Sequence, residues 1–467
     1  MYIFNFIINT ISIYFFLSII ITQYYSIKRF YRVVKDVIKK NLIIVICGLL
    51  NLFLLLINTQ IMYLVCGVLL VVFYLTNHPL KFKFTRRNIL LYIISSIVST
   101  ILIPSIFISS LISITIGFII TYPIELLIKR RYFLLSRKKL NEISPLIIGI
   151  TGSYGKTSFK YILKEIISTK YLVQIPKGNI NTPNGISKFI NNELNHNTEV
   201  LILELGIDEI NGMDVFSKFL YLDIGVITSI GENHIANFKT LKTTFEEKMK
   251  IKKLIKKDGK LFVNGDSIYL SSISNKNIIK FSKNNIKNNP VTENGLKVIY
   301  KDKEIIIPLY GEYVYSYIDG IIKISEFLGI NEECILLGLK NIKPLERRIN
   351  VKKYKNGYFI NDSYNINVNG VRESISLLKK FNGNNVVITG GITEQGKHFV
   401  SQNNKIKNIL KNQNVIFIGD RNHPLVKDHN FLNLYITKTL SEAYTLVDKY
   451  QFDNILLLSK GEDIYLK

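Results

Sequence analysis

The distribution of hydrophobic and polar positions divides the chain into two parts. Residues 1–140 consist of apolar runs separated by basic clusters, with runs at about 2–24, 41–58 and 60–76 and a longer apolar stretch at 88–128. A helix that crosses a membrane needs roughly 20 predominantly apolar residues, so the last stretch is long enough for two such helices. The pattern therefore predicts a membrane region of about five transmembrane helices.

The basic residues indicate how these predicted helices would be oriented. Residues 1–140 contain 16 Lys and Arg but only two acidic residues, and the basic ones cluster at 28–40, 81–87 and 129–139. Basic loops stay on the cytoplasmic side of a membrane. Five helices with an external N-terminus would place all three clusters in the cytoplasm, against anionic lipid. We therefore expect a multi-pass protein of the cell membrane with cytoplasmic catalytic domains and no nucleic-acid partner.

From residue 145 onward, short β-rich runs alternate with amphipathic segments. Strands are predicted at Leu146–Ile150, Glu199–Leu205 and Asp223–Ser229, and a helix at Ser158–Ser168. Strands that alternate with helices are typical of a parallel sheet covered by helices on both faces. We therefore expect an α/β fold in this part of the chain.

A second alternating block follows and suggests a further α/β domain. Its predicted strands are Gly357–Ile360, Asn385–Thr389, Asn414–Ile418 and Asn454–Leu458. Between the blocks, residues 283–304 are rich in Asn and Lys with weak periodicity, which predicts surface hairpins or loops. The expected domains are a membrane region at 1–140, a central domain at 141–343 and a C-terminal domain at 344–467.

The most specific motif is a glycine-rich segment between a predicted strand and a predicted helix, Gly149-Ile-Thr-Gly-Ser-Tyr-Gly-Lys-Thr-Ser158. Glycines allow successive backbone N–H groups to converge on phosphate oxygens at a helix N-terminus. In such loops the lysine neutralises the β- and γ-phosphates and the hydroxyl after it binds Mg²⁺. The predicted nucleotide-binding residues of this loop are Thr151, Gly152, Ser153, Tyr154, Gly155, Lys156 and Thr157. Ile150 stands where the usual spacing has glycine, so the loop is a short variant.

This loop resembles the ATP-binding loop of the Mur ligases, which build the peptide stem of bacterial peptidoglycan. Further motifs follow in the order of that family, from about residue 145 to the C-terminus. The resemblance implies a P-loop-type central domain, a Rossmann-like C-terminal domain, and ATP and Mg²⁺ as cofactors. The predicted membrane region would stand in place of the family's UDP-binding domain.

The resemblance also implies a set of catalytic and metal-binding residues. Glu204, in Leu-Glu-Leu-Gly206, matches a glutamate that binds Mg²⁺, and His234 matches a metal-binding histidine. Lys248 stands where many members carry a carbamylated lysine. The expected catalytic residues are Lys156, Glu204, His234 and Lys248. The expected metal ligands are Thr157, Glu204, His234 and Lys248. Three of them also have a structural alternative. Glu204 could be a solvent-facing carboxylate, His234 a loop histidine and Lys248 a lysine on a basic helix face.

Other motifs imply contacts with nucleotide and substrate. Arg348 and the string Asn361-Asp-Ser-Tyr-Asn365 are similar to the family's nucleotide-contacting motif, which assigns Arg348, Asp362, Tyr364 and Asn365 to ATP. Asn179, Asn181 and Thr182 match a substrate-proximal loop. The chain departs from the family at Gly311–Tyr317, where Tyr313, Val314 and Tyr317 stand in place of a histidine and two asparagines.

These residues suit a reaction that joins a carboxylate to an amine through an acyl phosphate. Charge neutralisation and positioning dominate such phosphoryl transfer. Within the family, the motifs are most similar to members that add D-Ala-D-Ala to a UDP-muramyl tripeptide, which would be the carboxylate acceptor. The alternatives are a ligase for another polymer, such as poly-γ-glutamate or a lipid-linked peptide, and a non-catalytic membrane scaffold.

Overall fold

Two helices precede the first strand in the computed structural model. It describes residues 86–102, 106–232, 235–286, 294–364, 366–392 and 398–459. Helix α1 is Arg86–Leu102 and helix α2 is Ile106–Ile143. The contacts within the chain separate one compact unit that ends at Arg131 from a second that begins at Tyr132.

The prediction of a membrane region is wrong for the part of the chain that the structure describes. The predicted spans at 2–24, 41–58 and 60–76 lie outside the described residues. The two predicted at 88–128 fall on α1 and α2, and none of the described helices combines the length and the apolarity needed to cross a bilayer.

The reasons for this correction lie in the two helices themselves. The 17 residues of α1 span about 26 Å, which is less than the roughly 30 Å of a bilayer core. Helix α2 contains Pro123 and runs on through the basic residues 129–139, which were expected to lie in a loop outside the membrane. As far as the described residues go, the predicted cell-membrane location is therefore wrong and the predicted lipid partner has no support.

The first sheet is parallel and has the strand order β2-β3-β1-β4-β5-β6. Its strands are β1 (Leu146–Thr151), β2 (Val173–Gln174), β3 (Val200–Glu204), β4 (Leu222–Ile227), β5 (Ile255–Asn264) and β6 (Ile278–Phe281). The connecting helices are α3 (Lys156–Ile167), α4 (Pro183–Glu193), α5 (Gly212–Phe216), α6 (Ile235–Phe238), α7 (Leu241–Met249) and α8 (Ile268–Ser271). The 3₁₀ helices are Lys250–Leu254 and Lys283–Asn285. Because helices cover both faces, β3 is buried at every position.

An antiparallel hairpin and two helices complete the packing on one face of this sheet. They are β7 (Leu296–Tyr300), β8 (Lys303–Ile307), α9 (Tyr313–Phe327) and α10 (Glu332–Lys340). The hairpin was predicted within 283–304, but its position at the surface was not correct. Leu296, Val298 and Ile307 are buried in the same core cluster as β1 and α3.

The second sheet has the order β13-β12-β11-β14-β10-β9 and is parallel except for the β9–β10 pair. Its strands are β9 (Asn350–Tyr354), β10 (Gly357–Asn361), β11 (Asn385–Thr389), β12 (Asn414–Ile418), β13 (Asn433–Thr437) and β14 (Asn454–Leu458). Its helices are α11 (Val368–Leu378), α12 (Phe399–Ile409) and α13 (Leu440–Lys449). The predicted α/β fold is therefore confirmed in both blocks, whereas the domain boundaries stay predictions.

Candidate functional site

The glycine-rich loop joins the C-terminal end of β1 to the N-terminal end of α3. Gly155 is the residue immediately before the helix and has a φ of 80°, in the left-handed region that favours glycine. A Cβ at this position would collide with the hydroxyl of Tyr317 on α9. The sequence therefore needs glycine here both for the turn and for the close approach of α9.

Hydrogen bonds to the segment after β4 hold the loop in shape. The hydroxyl of Ser153 donates to the carbonyl of Gly231 at 3.0 Å. The amide of Tyr154 donates to Ser229 Oγ at 2.8 Å, and Thr228 Oγ1 donates to the carbonyl of Tyr154 at 2.6 Å. Since β1 and β4 are neighbours in the sheet, the loop is preorganised by the strand order itself.

Lys156 lies at the first position of α3, and its side chain folds back over the loop. Its Nζ donates to the carbonyl of Gly152 at 2.7 Å. Burial lowers the pKa of this ammonium group; the negative charge of Glu204 opposes the change, and Arg348 adds to it. The lysine is therefore held over the loop, where a phosphate group would gain most from its charge.

Glu204 ends β3, the strand beside β1, and meets the start of α3. Thr157 Oγ1 donates to Glu204 Oε2 at 2.7 Å, and Asn181 Nδ2 donates to Oε1 at 3.3 Å. The carboxylate is only 3% exposed, so the alternative of a solvent-facing strand end is excluded. The structure thus brings three predicted site residues together: Thr157, Asn181 and Glu204.

A buried lysine that sequence analysis missed also contacts this carboxylate. Lys160 Nζ lies 3.8 Å from Glu204 Oε2, and the side chain is fully buried. Burial lowers the pKa of Lys160, while Glu204 raises it. A usable signal was present in the sequence, because Lys160 follows Lys156 by four residues and falls among the apolar residues of an amphipathic helix.

The predicted substrate loop lies between β2 and α4. Its Asn179 accepts a hydrogen bond from the hydroxyl of Tyr364, and the carbonyl of Asn181 accepts one from the amide of Gly206 at 2.8 Å. Thr182 has a structural role, because its hydroxyl accepts from Gly185 N at 3.2 Å and caps α4. Asn179 and Asn181 therefore face the site, whereas Thr182 starts helix α4.

Arg348 reaches the phosphate loop from the side of the second sheet. Its guanidinium carbon lies 3.8 Å from the centroid of the Tyr364 ring, and its Nη1 donates to Ser158 Oγ at 3.5 Å. Its Nη2 is buried and has no hydrogen-bond partner among the described residues. An unsatisfied guanidinium nitrogen beside a phosphate-type loop is suited to receive an anionic oxygen.

Asp362 follows β10 and lies near the same arginine. Burial raises the pKa of Asp362 to about 6, although hydrogen bonds from Ser374 and the backbone of Ile349 lower it, as does Arg348. The bond from Ser374 Oγ to Asp362 Oδ2 is 2.7 Å long. Asp362 is therefore a carboxyl group that can change its charge close to neutral pH.

A cleft of about 480 Å³ opens between the two sheets beside this cluster. Its lining includes Gly155, Arg348, Asp362 and Tyr364, together with two tyrosines that sequence analysis noted only as a departure, Tyr313 and Tyr317. The two tyrosine rings are 5.5 Å apart, and burial raises the pKa of each phenol. One wall of the cleft is therefore aromatic and uncharged.

Lys248, on α7, is 3% exposed. Burial lowers the pKa of Lys248 well below its usual value, and the positive charge of Lys156 adds to this effect. Its Nζ lies 6.0 Å from the centroid of the Phe238 ring. The alternative of a lysine on a solvated helix face is therefore excluded.

Two predicted site residues, His234 and Asn365, lie outside the described residues. Within the described ranges, no group of three or more His, Cys, Asp or Glu side chains is arranged to hold a metal ion. The donors that the structure does bring together are the Thr157 hydroxyl and the Glu204 carboxylate. Both are oxygen donors, the type that Mg²⁺ prefers.

The fold and the loop define the class of the chain: an α/β protein with a phosphate-binding loop and a second α/β sheet that faces it. Residues 150–316 match the Mur ligase middle domain. The similarity to the Mur ligases that the motifs indicated is therefore confirmed over this region.

Curated relatives show the same similarity over part of their length. The UDP-N-acetylmuramoyl-tripeptide–D-alanyl-D-alanine ligase of Bacillus subtilis is 28% identical over 272 residues, 56% of this chain and 59% of that protein. The ligase of the same name from Borreliella burgdorferi is 32% identical over 266 residues, 54% of this chain and 56% of that protein. The chain thus spans less than two thirds of the length of these relatives.

Solved structures share the fold. A MurF from Acinetobacter baumannii covers 71% of this chain, with 77% of its own length matched, at 21% identity and a TM-score of 0.63. The MurF ligase of Thermotoga maritima, solved in complex with ADP, covers 71% of this chain, with 80% of its own length matched, at 22% identity and a TM-score of 0.64. At these identities the likeness shows the architecture of the two facing sheets.

Proposed function

We propose that the protein is an ATP-dependent ligase that activates a carboxylate as an acyl phosphate and joins it to an amine. The product we propose is the one named for its curated relatives, in which D-Ala-D-Ala is added to a UDP-muramyl tripeptide. The ADP bound by the Thermotoga maritima structure supports ATP as the phosphate donor.

The observation that carries the proposal is the charge balance around the phosphate loop. Lys156 and Lys160 each interact electrostatically with the carboxylate of Glu204 and with Arg348. Arg348 also interacts with Asp362, so these three cations face two carboxyl groups. Burying cations that lack full compensation is costly. An anion placed between the loop and Arg348 would offset this cost, and the β- and γ-phosphates of ATP carry the charge that the cluster lacks.

Each side of the cleft would contribute to binding the phosphates of ATP. The loop amides and Lys156 would hold the phosphates, and Lys156 would neutralise charge that develops as the acceptor carboxylate attacks the γ-phosphate. Arg348 would hold the same anion from the second sheet, with its plane fixed against Tyr364. Closure between the sheets would exclude water, which otherwise hydrolyses an acyl phosphate.

The donor set fits a magnesium ion. Mg²⁺ in phosphoryl-transfer sites uses one or two protein oxygens and completes its shell with phosphate oxygens and water. Thr157 and Glu204 would provide those protein oxygens, with His234 as the further ligand that the resemblance implies. When bound, the ion would polarise the phosphate oxygens.

Lys248 would contribute through its amine. A lysine whose pKa is lowered by burial has a larger neutral fraction than an exposed lysine at the same pH, and only the neutral amine reacts with carbon dioxide. The carbamate formed in this way is an anion, which the nearby positive charge of Lys156 would stabilise. We therefore propose Lys248 as the carbamylated lysine of the site.

The proposal is tested by mass analysis of the products formed by the purified full-length chain with Mg²⁺ and ATP. One reaction contains UDP-muramyl tripeptide and D-Ala-D-Ala, and a parallel reaction contains the tripeptide precursor with glutamate. We expect the muramyl pentapeptide and ADP in the first reaction. Lys156→Ala should remove the product, whereas Lys164→Ala, two turns further along α3, should not.

Two other results would contradict the proposal at different levels. Product with glutamate but not with D-Ala-D-Ala would keep the ligase and change its substrate. Amide formation that survives Lys156→Ala would refute the assignment of the loop to ATP.

A further inference from the structure

Lys160 is fully buried, yet it is neither part of the glycine-rich motif nor one of the residues assigned to ATP. Its Nζ donates to the carbonyls of Gly178 at 3.1 Å and Pro176 at 3.4 Å. It also lies 3.8 Å from Glu204 Oε2. A buried ammonium group is tolerated only when such partners replace its water, so these three contacts define where the side chain can lie.

The two carbonyls belong to a segment that we call the tethered loop, residues 176–181. Asn181 binds Glu204 through its side chain at 3.3 Å, and its carbonyl accepts from Gly206 N at 2.8 Å. At the other side of the cleft, Asn179 accepts a hydrogen bond from Tyr364. The tethered loop is therefore connected to β3, to α3 and to the residues that follow β10.

Two of these connections hold the main chain of the tethered loop. Gly206 N binds the carbonyl of Asn181 at its end, and Lys160 binds the carbonyls of Pro176 and Gly178 at its start. A side-chain contact such as Tyr364 to Asn179 can rotate without moving the main chain. Two carbonyls bound to one Nζ leave the main chain at 176–178 little freedom, and the same Nζ is drawn towards the carboxylate of Glu204. Lys160 thus sets the distance between Glu204 and the loop that carries Asn179 and Asn181.

A lysine that only filled space would be a poor choice for this position. Methionine fills a similar volume without the cost of desolvating a charge. The next lysine of the helix shows the contrast, because Lys164 pairs with Glu165 and both side chains are 34% exposed. The charge of Lys160 is therefore explained by its polar partners, which are the carbonyls of Pro176 and Gly178 and the carboxylate of Glu204.

We propose that Lys160 is a positioning residue that holds the tethered loop in register with Glu204 and thereby sets the affinity for the carboxylate acceptor. This inference rests on the proposed function for the identity of the acceptor. Tyr364, which is assigned to ATP, contacts the tethered loop through Asn179. The loop amides, Lys156 and Arg348 would hold the nucleotide from outside residues 176–181, so the affinity for ATP should depend less on Lys160 than the affinity for the acceptor does.

The test compares Lys160→Met with the wild type and with Lys164→Met as the matched control on the same helix. Hydrogen exchange of residues 176–181 is measured first, because it needs no turnover. We expect faster exchange in Lys160→Met and no change in Lys164→Met. Steady-state kinetics should then show a KM for UDP-muramyl tripeptide raised about 10-fold or more, with the KM for ATP changed less than about 3-fold.

The outcomes separate the inference from the proposed function. Unchanged exchange at 176–181 in a folded Lys160→Met variant would overturn the tether, whatever reaction the protein catalyses. Faster exchange with equal losses for both substrates would overturn the role in acceptor binding and indicate a structural role. A wild type without ligase activity would refute the proposed function and leave the exchange result standing. If Lys160→Met does not fold, Lys160→Gln, whose side-chain amide keeps two N–H donors, is measured with the same outcomes.

Discussion

The guanidinium carbon of Arg348 lies 3.8 Å from the centre of the Tyr364 ring, and the same arginine donates to Ser158 on the phosphate-loop helix. One planar side chain therefore contacts both halves of the cleft. Stacking restricts the rotation of the guanidinium, which is therefore already held beside the phosphate-loop helix before a phosphate arrives. This preorganisation makes Arg348 the most informative residue on the second-sheet side.

Replacing Arg348 by lysine should weaken ATP binding although the charge is kept. Lysine cannot stack on Tyr364 or offer two nitrogens in a plane. We expect the KM for ATP to rise about 10-fold, equivalent to about 1.4 kcal/mol. The neighbouring Arg347→Lys is the control, because Arg347 is exposed and binds Ser363 through Nε at 3.2 Å. Equal effects of the two variants would contradict the role given to the stacked geometry.

Gly155→Ala should disrupt the loop more than its backbone conformation alone explains. The positive φ costs about 1–2 kcal/mol for a residue with a Cβ, and the added atom would also meet the Tyr317 hydroxyl. Gly329→Ala is the control, since Gly329 has a φ of 66° and only the end of the Lys170 side chain nearby. We expect a larger fall in melting temperature and loss of ATP binding for Gly155→Ala. Equal melting temperatures would show that α9 does not constrain the loop.

The raised pKa of Asp362 predicts a specific pH dependence of stability. A carboxyl group whose pKa is about 6 in the folded state binds its proton more tightly than in the unfolded chain, where the pKa is about 3.9. Its stabilising contribution is therefore complete below about pH 4 and is lost as the pH rises through about 6.

Asp362→Asn should consequently stabilise the protein at about pH 7.5 by about 2 kcal/mol more than at about pH 4, as measured by urea unfolding. Asp448→Asn should show the opposite pH dependence of stability, because the hydrogen bond from Lys355 lowers the pKa of Asp448. A stabilisation by Asp362→Asn that does not change with pH would contradict the assignment of this pKa.

Lys248 predicts a dependence on carbon dioxide. Burial and Lys156 lower the pKa of Lys248, which favours the neutral amine that carbamylation requires. Removing dissolved carbon dioxide should lower kcat, and bicarbonate should restore it. Lys248→Ala should lose activity by about 100-fold and not respond to bicarbonate. The exposed Lys252→Ala should behave as the wild type, and a bicarbonate response retained in Lys248→Ala would contradict the proposal.

The elements with strong periodicity were predictable from the sequence. The predicted strands at 385–389, 414–418 and 454–458 agree with β11, β12 and β14, because each is a short apolar run bounded by turn residues. The hairpin of β7 and β8 was predicted as surface structure because residues 283–304 are rich in Asn and Lys with weak periodicity, and the packing partner was not visible in the sequence. The membrane prediction failed for the described residues because apolar composition alone does not give the length and course of a helix.

The residues of the site were likewise only partly predictable from the sequence. The motifs identified Lys156, Thr157 and Glu204 as candidate site residues, and the structure brings these three together. The buried position of Lys160 and the approach of Tyr317 to Gly155 depend on how α3 packs against α9 and the tethered loop. These are contacts between elements far apart in sequence, which periodicity cannot specify.

The central claim is that the acceptor carboxylate is activated by transfer of a phosphoryl group from ATP. The most direct measurement uses UDP-muramyl tripeptide whose reacting carboxylate carries a heavy isotope at both oxygens, with ATP, Mg²⁺ and D-Ala-D-Ala. An acyl phosphate passes one carboxylate oxygen to phosphate when the amine attacks. We therefore predict labelled inorganic phosphate in equal amount to the amide product. Amide product formed with wholly unlabelled phosphate would contradict the account.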